Sequence, residues 1–539
     1  MMPRLPGHGG DGDVARAIAR EMPHTVAASF PPHPDLVSDA AASPSTPTSV
    51  GDDHGVLDVL IVGAGLSGIG AAHHLQQRCA DKRYLIVEAR ASIGGTWDLF
   101  RYPGVRSDSD MYTLGYRFRP WTDAQAIADG PSILRYIRAT AEEAGIVGRI
   151  RFGHAVRSAE WSSAAACWVV TAERLEDGVH VQWRARFLHV CSGYYRYDGG
   201  HRPEFTGEAE FAGTLVSPQF WPADLDVAGK RIVVIGSGAT AVTLVPALAP
   251  SAAHVTMLQR SPSYVVTRPR RDVVAQALRS VLPERLAYAV TRWKNVLIGA
   301  FYYRLARRRP EQVKARIVAM AAQQLGPDCA ADPHFTPRYK PWDQRVCLVP
   351  DGDLFAQIRA GRASVVTDTI DRFTADGIRL ASGQTLGADI VVVATGLKLN
   401  LLGDIALTID GRACRASDAM VYKGMMLSDV PNLALCFGYV NASWTLKADL
   451  TAEYVCRLLR LMDRRGVAIV VPRRDPAVGV QPFLSFTSGY VQRASELLPK
   501  QGTRRPWQVH QSYFRDMLAL RFGRIDDGVL RFGAAGAMP

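Results

Sequence analysis

Two short glycine motifs carry the first chemistry in this chain. Gly63-Ala64-Gly65-Leu66-Ser67-Gly68 and Gly236-Ser237-Gly238-Ala239-Thr240-Ala241 each close an apolar, β-branched run and open a helix-like run. That spacing suits a dinucleotide. The first glycine makes a tight turn, the second lets backbone N–H groups approach a pyrophosphate, and the third lets the helix pack on the strand. Ala241 takes the third place in the second motif, which the pattern permits. Glu88 lies twenty residues after Gly68, at the end of the run Tyr84 to Val87. A carboxylate there would bind ribose hydroxyls. The matching run after the second motif, His254 to Gln259, ends instead in Arg260 and Ser261. A base at that point suits a 2′-phosphate and predicts NADPH over NADH. A chain with two such sites passes electrons from one nucleotide to another.

Two further loops hold candidate residues. Gly94-Gly95-Thr96-Trp97 and Arg101-Tyr102-Pro103-Gly104-Val105-Arg106-Ser107-Asp108 follow the first strand–helix–strand unit. They fall at the carboxyl end of the predicted sheet, where ligands sit in open α/β folds. Trp97 suits either stacking on a flat ring system or core filling, and Asp108 either chemistry or a turn cap.

The elements that must position these residues are legible as patterns. Asp58 to Val62 and Arg231 to Ile235 read as buried parallel strands. Gly70 to Ala80 and Ala239 to Leu248 read as the helices that follow them. The fold class is therefore α/β, with two Rossmann-like dinucleotide domains. At 539 residues there is room for two or three domains. Eight scattered cysteines without a CxxC pair point to a reducing cytosol rather than a disulfide or zinc framework. Residues 1–54, rich in Pro, Ala, Asp, His and Ser, read as a disordered leader without the apolar core of a secretory signal.

The net charge of +12 is unevenly placed. Residues 268–316 hold thirteen Lys/Arg and three Asp/Glu, a net of +10. Within them Leu282, Leu286, Val290, Trp293, Leu297, Phe301 and Leu305 recur at helical steps. A basic amphipathic element can touch an anionic membrane surface or line an NADPH entry path. The plainer reading, which we favour, is a helical subdomain with a packed apolar stripe and a solvated basic face. No module for nucleic acid accompanies the charge.

The stretch from Leu57 to Trp121, including GGTWDLFRYPGVRSDSDMYTLGYRFRPW, resembles the flavin-dependent Baeyer–Villiger monooxygenases, and within them the ethionamide-activating branch. The resemblance runs on through Cys191–Tyr195 (CSGYY), Ile235–Ala249, Leu258–Tyr264, Pro341–Pro350 (PWDQRVCLVP), Ala394–Leu397 (ATGL), Asn441–Leu450 and Leu498–Gly502. It implies FAD at the first motif and NADPH at the second. It implies that NADPH reduces the flavin and that O₂ adds to it as a peroxide. That peroxide would convert ketones to esters or lactones, or oxygenate sulfides and thioamides. The resemblance makes Arg345 the catalytic cation and Asp108 its acidic partner. Ser67, Glu88, Gly95, Thr96, Trp97, Asp98 and Asp108 match FAD contacts, and the backbone of Val156 an adenine-side contact. Arg106 and Ser107 match positions near the nicotinamide. Ser237, Gly238, Ala239, Thr240, Arg260 and Ser261 match NADPH contacts. The implied architecture is an FAD domain over 55–195 and 386–539. An NADPH domain is inserted at 196–385, with the helical segment 268–325 inside it. The strand Asp389 to Val393 would lead the return into the FAD domain. The implied location is the cytoplasm, with weak peripheral membrane contact through 268–316 as the alternative to free solution.

Two departures stand out. The family often has Lys where this chain has Gln344, which shifts selection of the 2′-phosphate onto Arg260. The family fingerprint F-x-G-x-x-x-H-x-x-x-W-P reads here Phe211, Gly213, Ser217, Trp221 and Pro222, so a serine stands where the histidine is expected. The segment links the two nucleotide domains, and a serine there predicts slower turnover or more uncoupled peroxide release. Rival readings are a general N- or S-oxygenating flavin monooxygenase, a poorly coupled NADPH oxidase and a nucleotide-binding regulator. A disulfide reductase would need the paired cysteines that this chain lacks.

Overall fold

The computed structural model describes residues 48–50 and 55–539, apart from 328, 485 and 537. The expected leader lies outside the described residues except for Thr48–Val50. Those three form a strand, β1, that pairs in parallel with His180–Gln182. The ordered chain therefore takes in residues before 55.

Val56–Val62 (β2), Leu66–Arg78 (α1) and Tyr84–Val87 (β3) make the first strand–helix–strand unit, with β2 and β3 parallel. Both strands are apolar through most of their length because helices cover one face and a β-meander the other. Ile150–Arg151 (β4) extends the parallel part. His154–Ser162 (β5), Cys167–Arg174 (β6) and His180–Val190 (β7) form an antiparallel meander. The eleven-residue β7 is shared. Its first half pairs with β6 and its second half runs parallel to β2. One ten-stranded sheet results.

The second sheet has five parallel strands. Thr214–Val216 (β8), Arg231–Ile235 (β9), His254–Gln259 (β10), Ala363–Thr367 (β11) and Ile390–Val393 (β12) lie in the order β11-β10-β9-β12-β8. Ala239–Leu248 (α2) follows β9. This corrects one expectation. The strand Asp389 to Val393 belongs to the second domain, since Ile390 registers with Ile232 and Val393 with Ile235. The chain returns to the first sheet at Ala406–Ile409, parallel to β5, and again at Leu433–Leu435 (β13), beside β7. Apolar β-branched runs of equal length look alike in sequence, and only pairing assigns them to a sheet. The ATG turn that follows β12 sits at the crossing between domains. There the outgoing and returning segments pair: Tyr195 bridges Leu399, and His201 N–H donates to Gly396 O at 2.9 Å.

A second correction concerns residues 268–325. Val273–Val281 (α3) and Glu284–Arg308 (α4) pack on the first domain, not the second. Pro310–Leu325 (α5) packs on the second, through Ala321 and Leu325. The inward face of α4 is Ala287, Tyr288, Thr291, Arg292 and Val296. Leu286, Val290, Trp293, Leu297 and Phe301 of the expected packed stripe are exposed instead. The reason is Arg292, which is 5% exposed. Its guanidinium donates to the carbonyls of Tyr112 and Gly115, both at 2.7 Å. These are the free carbonyls at the end of the short helix Met111–Leu114. Trp444–Arg465 (α6) supplies Asp449, 3.7 Å from Arg292 and 3.1 Å from His74 Nε2.

Burial alone would raise the Asp449 carboxyl, but His74 and the charge of Arg292 hold it below the usual carboxylate range. Such a group contributes stability above its unfolded pKa and loses it as pH falls through the folded one. Asp449→Ala strands a buried cation and is expected to cost about 3 kcal/mol at neutral pH. The gap between variant and wild type closes below about pH 4. Thermal unfolding of both proteins across pH checks this, and a gap that widens in acid would contradict it.

Candidate active site

The two glycine turns are built alike. Gly63 and Gly236 have φ of +101° and +144°. A Cβ on Gly63 would lie 2.7 Å from Cys191 O, and one on Gly236 would lie 2.4 Å from Ala394 O. Each turn therefore presses against the chain leaving the neighbouring strand, where a side chain does not fit. The close helix–strand approach at Gly68 is tighter still, with a Cβ only 1.8 Å from Gly63 O. Ala241 fills the equivalent place in α2 and is fully buried.

Helices α1 and α2 begin at Gly65 and Gly238 with no side-chain cap. By contrast Asp129, Asp110 and Asp272 cap the helices that follow them. The first-turn N–H groups of α1 and α2 are thus left for an anion, as a pyrophosphate requires. Gly95 (φ +55°) brings the Gly94–Trp97 loop over the first turn, so that a Cβ on it would lie 3.2 Å from Gly65 Cα. The residues present fit a dinucleotide in each cradle.

Around the first cradle, Ala64 N–H donates to Glu88 Oε2 at 2.6 Å and Arg90 N–H to Oε1 at 2.8 Å. Burial pushes the Glu88 carboxyl up against those bonds. His154 N–H donates to Glu88 O, which sets the start of β5, and hence Val156, beside it. The Ser67 hydroxyl accepts from Trp444 Nε1 at 2.7 Å. Thr96 opens the short helix Thr96–Leu99 and lies close to Tyr197. Trp97 packs partly buried against the core. Asp98 is buried and meets Arg90 at 2.6 Å and Arg138 at 3.1 Å. Burial raises it, and bonds from Arg90 and Ser92 more than offset this, leaving it below the usual range.

The Arg101–Asp108 loop reaches across to the second domain. Tyr102 lies close to Thr240 at the start of α2, and a Cβ on Gly104 would meet Ala247 at 2.7 Å. Arg106 is paired with Asp353 and bonds Val242 O, so its guanidinium ties the loop down. Ser107 is buried, its hydroxyl accepting from Ser109 N–H. At the second cradle the Ser237 hydroxyl donates to Ser261 O at 2.8 Å, which brings Gly236–Ala239 to the end of β10. Arg260 is exposed.

Arg345 stands where the domains meet. It precedes the strand Val346–Pro350, which pairs with Tyr264–Arg268 in the second domain. Its Nη1 donates to Asp108 Oδ2 at 3.0 Å, and its Nη2 to the Tyr194 hydroxyl at 3.3 Å. The Tyr194 and Tyr195 hydroxyls lie 2.5 Å apart. Burial keeps both phenols neutral, with Tyr195 pushed up to about 12. Tyr194 stacks on Trp444 at 4.9 Å, and Phe437 and Phe483 continue the wall. Ser217 lines a cavity of about 250 Å³ with His201, Thr240 and Gly396, just behind α2.

Three contributions are invisible in the spacing of the sequence. Tyr194 holds Arg345 from the inter-domain crossing. Trp444 reaches Ser67 from 377 positions away. Arg493 lies near enough to Arg260 that, after burial, this second cation lowers its pKa. No motif surrounds Arg493, and only folding brings it to the second cradle.

Two Rossmann-type cradles, with a cation held where their domains meet, define a dinucleotide-dependent oxidoreductase. The comparisons narrow this. Residues 61–124 match the NAD(P)-binding Rossmann-like domain, and residues 122–303 the flavin-binding monooxygenase-like family. The FAD-containing monooxygenase EthA of Mycobacterium tuberculosis is 56% identical over 478 residues, covering 88% of this chain and 97% of that protein. The probable FAD-binding monooxygenase AlmA of Acinetobacter baylyi is 48% identical over 481 residues, 88% of this chain and 96% of that one. An oxidized steroid monooxygenase bound to NADP shares the fold, with a TM-score of 0.69 at 22% identity over 89% of this chain and 100% of that one. The chain belongs to the FAD-containing monooxygenase family.

If Arg260 and Arg493 share a 2′-phosphate, removing either loses a charge-assisted bond. Arg493→Ala is expected to weaken 2′,5′-ADP about tenfold. Binding of ADP, which lacks that phosphate, stays unchanged. Calorimetry with the two nucleotides separates these outcomes.

Proposed function

We propose that this protein is an NADPH-dependent FAD monooxygenase of the Baeyer–Villiger type. It inserts one oxygen atom of O₂ into ketones, giving esters or lactones, and transfers oxygen to sulfides and thioamides. The observation that carries the reading is Arg345, a cation held between the two cradles by an aspartate from one domain and a tyrosine from the crossing. When bound, NADPH supplies a hydride and FAD supplies the activation of O₂.

The chain's own residues do the rest. The first turn of α1 and Gly65 would hold the FAD pyrophosphate, with Glu88 toward the ribose. The first turn of α2, with Ser237, Arg260 and Arg493, would hold NADPH. Arg345 offers a permanent positive charge where negative charge develops on oxygen during attack on a carbonyl. A guanidinium suits this because it stays protonated and donates from a planar fork. Asp108 fixes its direction, and neutral Tyr194 holds its other nitrogen without adding charge. The wall of Tyr194, Trp444 and Phe437 keeps water from the reacting atoms, which favours oxygen transfer over peroxide release.

No helix among the described residues is long and apolar enough to cross a membrane. We infer a cytoplasmic enzyme, free or seated on a membrane surface, with a small organic molecule and O₂ as its substrates.

Arg345→Ala is expected to lower the rate of product formation at least about 100-fold, with FAD content unchanged. A panel of ketones, sulfides and thioamides, scored for product and peroxide, provides the assay, and near wild-type product would refute the role. Ser217→His is expected to raise product formed per NADPH consumed. An unchanged ratio would free Ser217 from any part in coupling.

A further inference from the structure

The exposed stripe of α4 is unusual for a folded surface. Leu286, Val290, Trp293, Leu297 and Phe301 follow one another at steps of four, three, four and four. They are between 38% and 61% exposed. Ile298 and Tyr302 widen the stripe, and Val273, Val274 and Val281 add the neighbouring α3, all exposed. The patch continues past α4: Trp293 meets Tyr513 and Phe514, both at 5.9 Å, and Leu518 is exposed one turn beyond. Single exposed apolar residues are ordinary, but a contiguous set this large marks a contact surface.

The same stripe continues by steps of three and four into Arg304 and Arg308, both exposed and without an ion pair among the described residues. Arg285 is exposed near its other end. Apolar side chains along the middle with free arginines at the rim match the interface of an anionic bilayer. The apolar groups reach the acyl boundary and the guanidinium groups meet lipid phosphates. Charge favours this partner over a second copy of the chain, since two such faces would bring like charges together.

We propose that α3 and α4 form a lipid-docking face that seats the enzyme on an anionic membrane surface. The helices lie in the interface and do not cross it. Docking brings the cleft close to the lipid. Tyr303 of α4 meets Trp342 at 5.6 Å, and Arg307 pairs with Asp343 at 2.5 Å, so α4 leans on the loop that carries Arg345. Lipophilic molecules dissolved in the bilayer then reach the cleft without crossing water.

The test uses the full FAD-loaded chain and sedimentation with vesicles of phosphatidylcholine, with or without phosphatidylglycerol. Wild type is expected to sediment with the anionic vesicles and to be released by high salt. Arg304→Ala and Arg308→Ala should each weaken binding about fivefold. The double variant Leu297→Gln/Phe301→Gln should weaken it at least about tenfold. These side chains are on the surface, so FAD content and thermal stability should match wild type. No sedimentation with anionic vesicles, or equal binding by the variants, overturns the proposal. So does a self-associated form in sedimentation velocity that the double variant dissolves, since a second copy would then own the face. The readout is lipid binding, so a failure of the oxygenation reading would not disguise a failure here.

Discussion

A guanidinium buried without acceptors costs several kcal/mol, and Arg292 is placed where that cost would fall. Its acceptors are the carbonyls at the end of a short helix in the first domain, backed by Asp449. Meeting them fixes the rotation of α4 about its own axis. The face that carries Arg292 must turn in, and the stripe from Leu286 to Phe301 is left facing out. The helix is also joined at its far end to α5, which packs on the second domain. One buried cation therefore both anchors the inserted helices to the first domain and creates the exposed apolar face.

The cleft depends on that arrangement more than on the ion pair within it. Arg345 and Asp108 are each about a third or more exposed, and such a pair is worth at most about 1 kcal/mol. It cannot hold two domains together. The paired crossing segments, the Arg101–Asp108 loop bonded to α2, and the straps of α4 and α5 do so instead. The pair is weak, and it can break and reform as domains shift. That suits an enzyme in which one nucleotide must deliver its hydride before oxygen is handled. The aromatic wall behind Tyr194 is, by contrast, closely stacked and would change little.

Pattern served well wherever function rests on local backbone geometry. The glycine turns and α2 follow from a handful of neighbouring residues, and the structure shows them where the spacing predicts. Pattern failed at two places for one reason. Ile390–Val393 and β13 are both short apolar strands, and nothing within either says which sheet it joins. The stripe on α4 has the period of a packed helix face, and apolar periodicity alone does not say which side is wet. In both cases the deciding partners, Ile232 for one and the Met111–Leu114 carbonyls for the other, lie more than a hundred residues away.

The sequence by itself determined the two nucleotide cradles, the acid after one and the base after the other, because turns, helix starts and strand ends are set within a few residues. It also carried the family motifs, including Arg345 and Asp108. Only the tertiary structure decided what stands around them. Arg493 beside Arg260, Trp444 on Ser67, Tyr194 on Arg345 and the outward turn of α4 all join residues distant in the chain. The Trp444 and Tyr194 contacts and the seat of Arg292 exist because hydroxyls and cations withdrawn from water need partners, and the partner that is nearest in space is seldom the nearest in sequence.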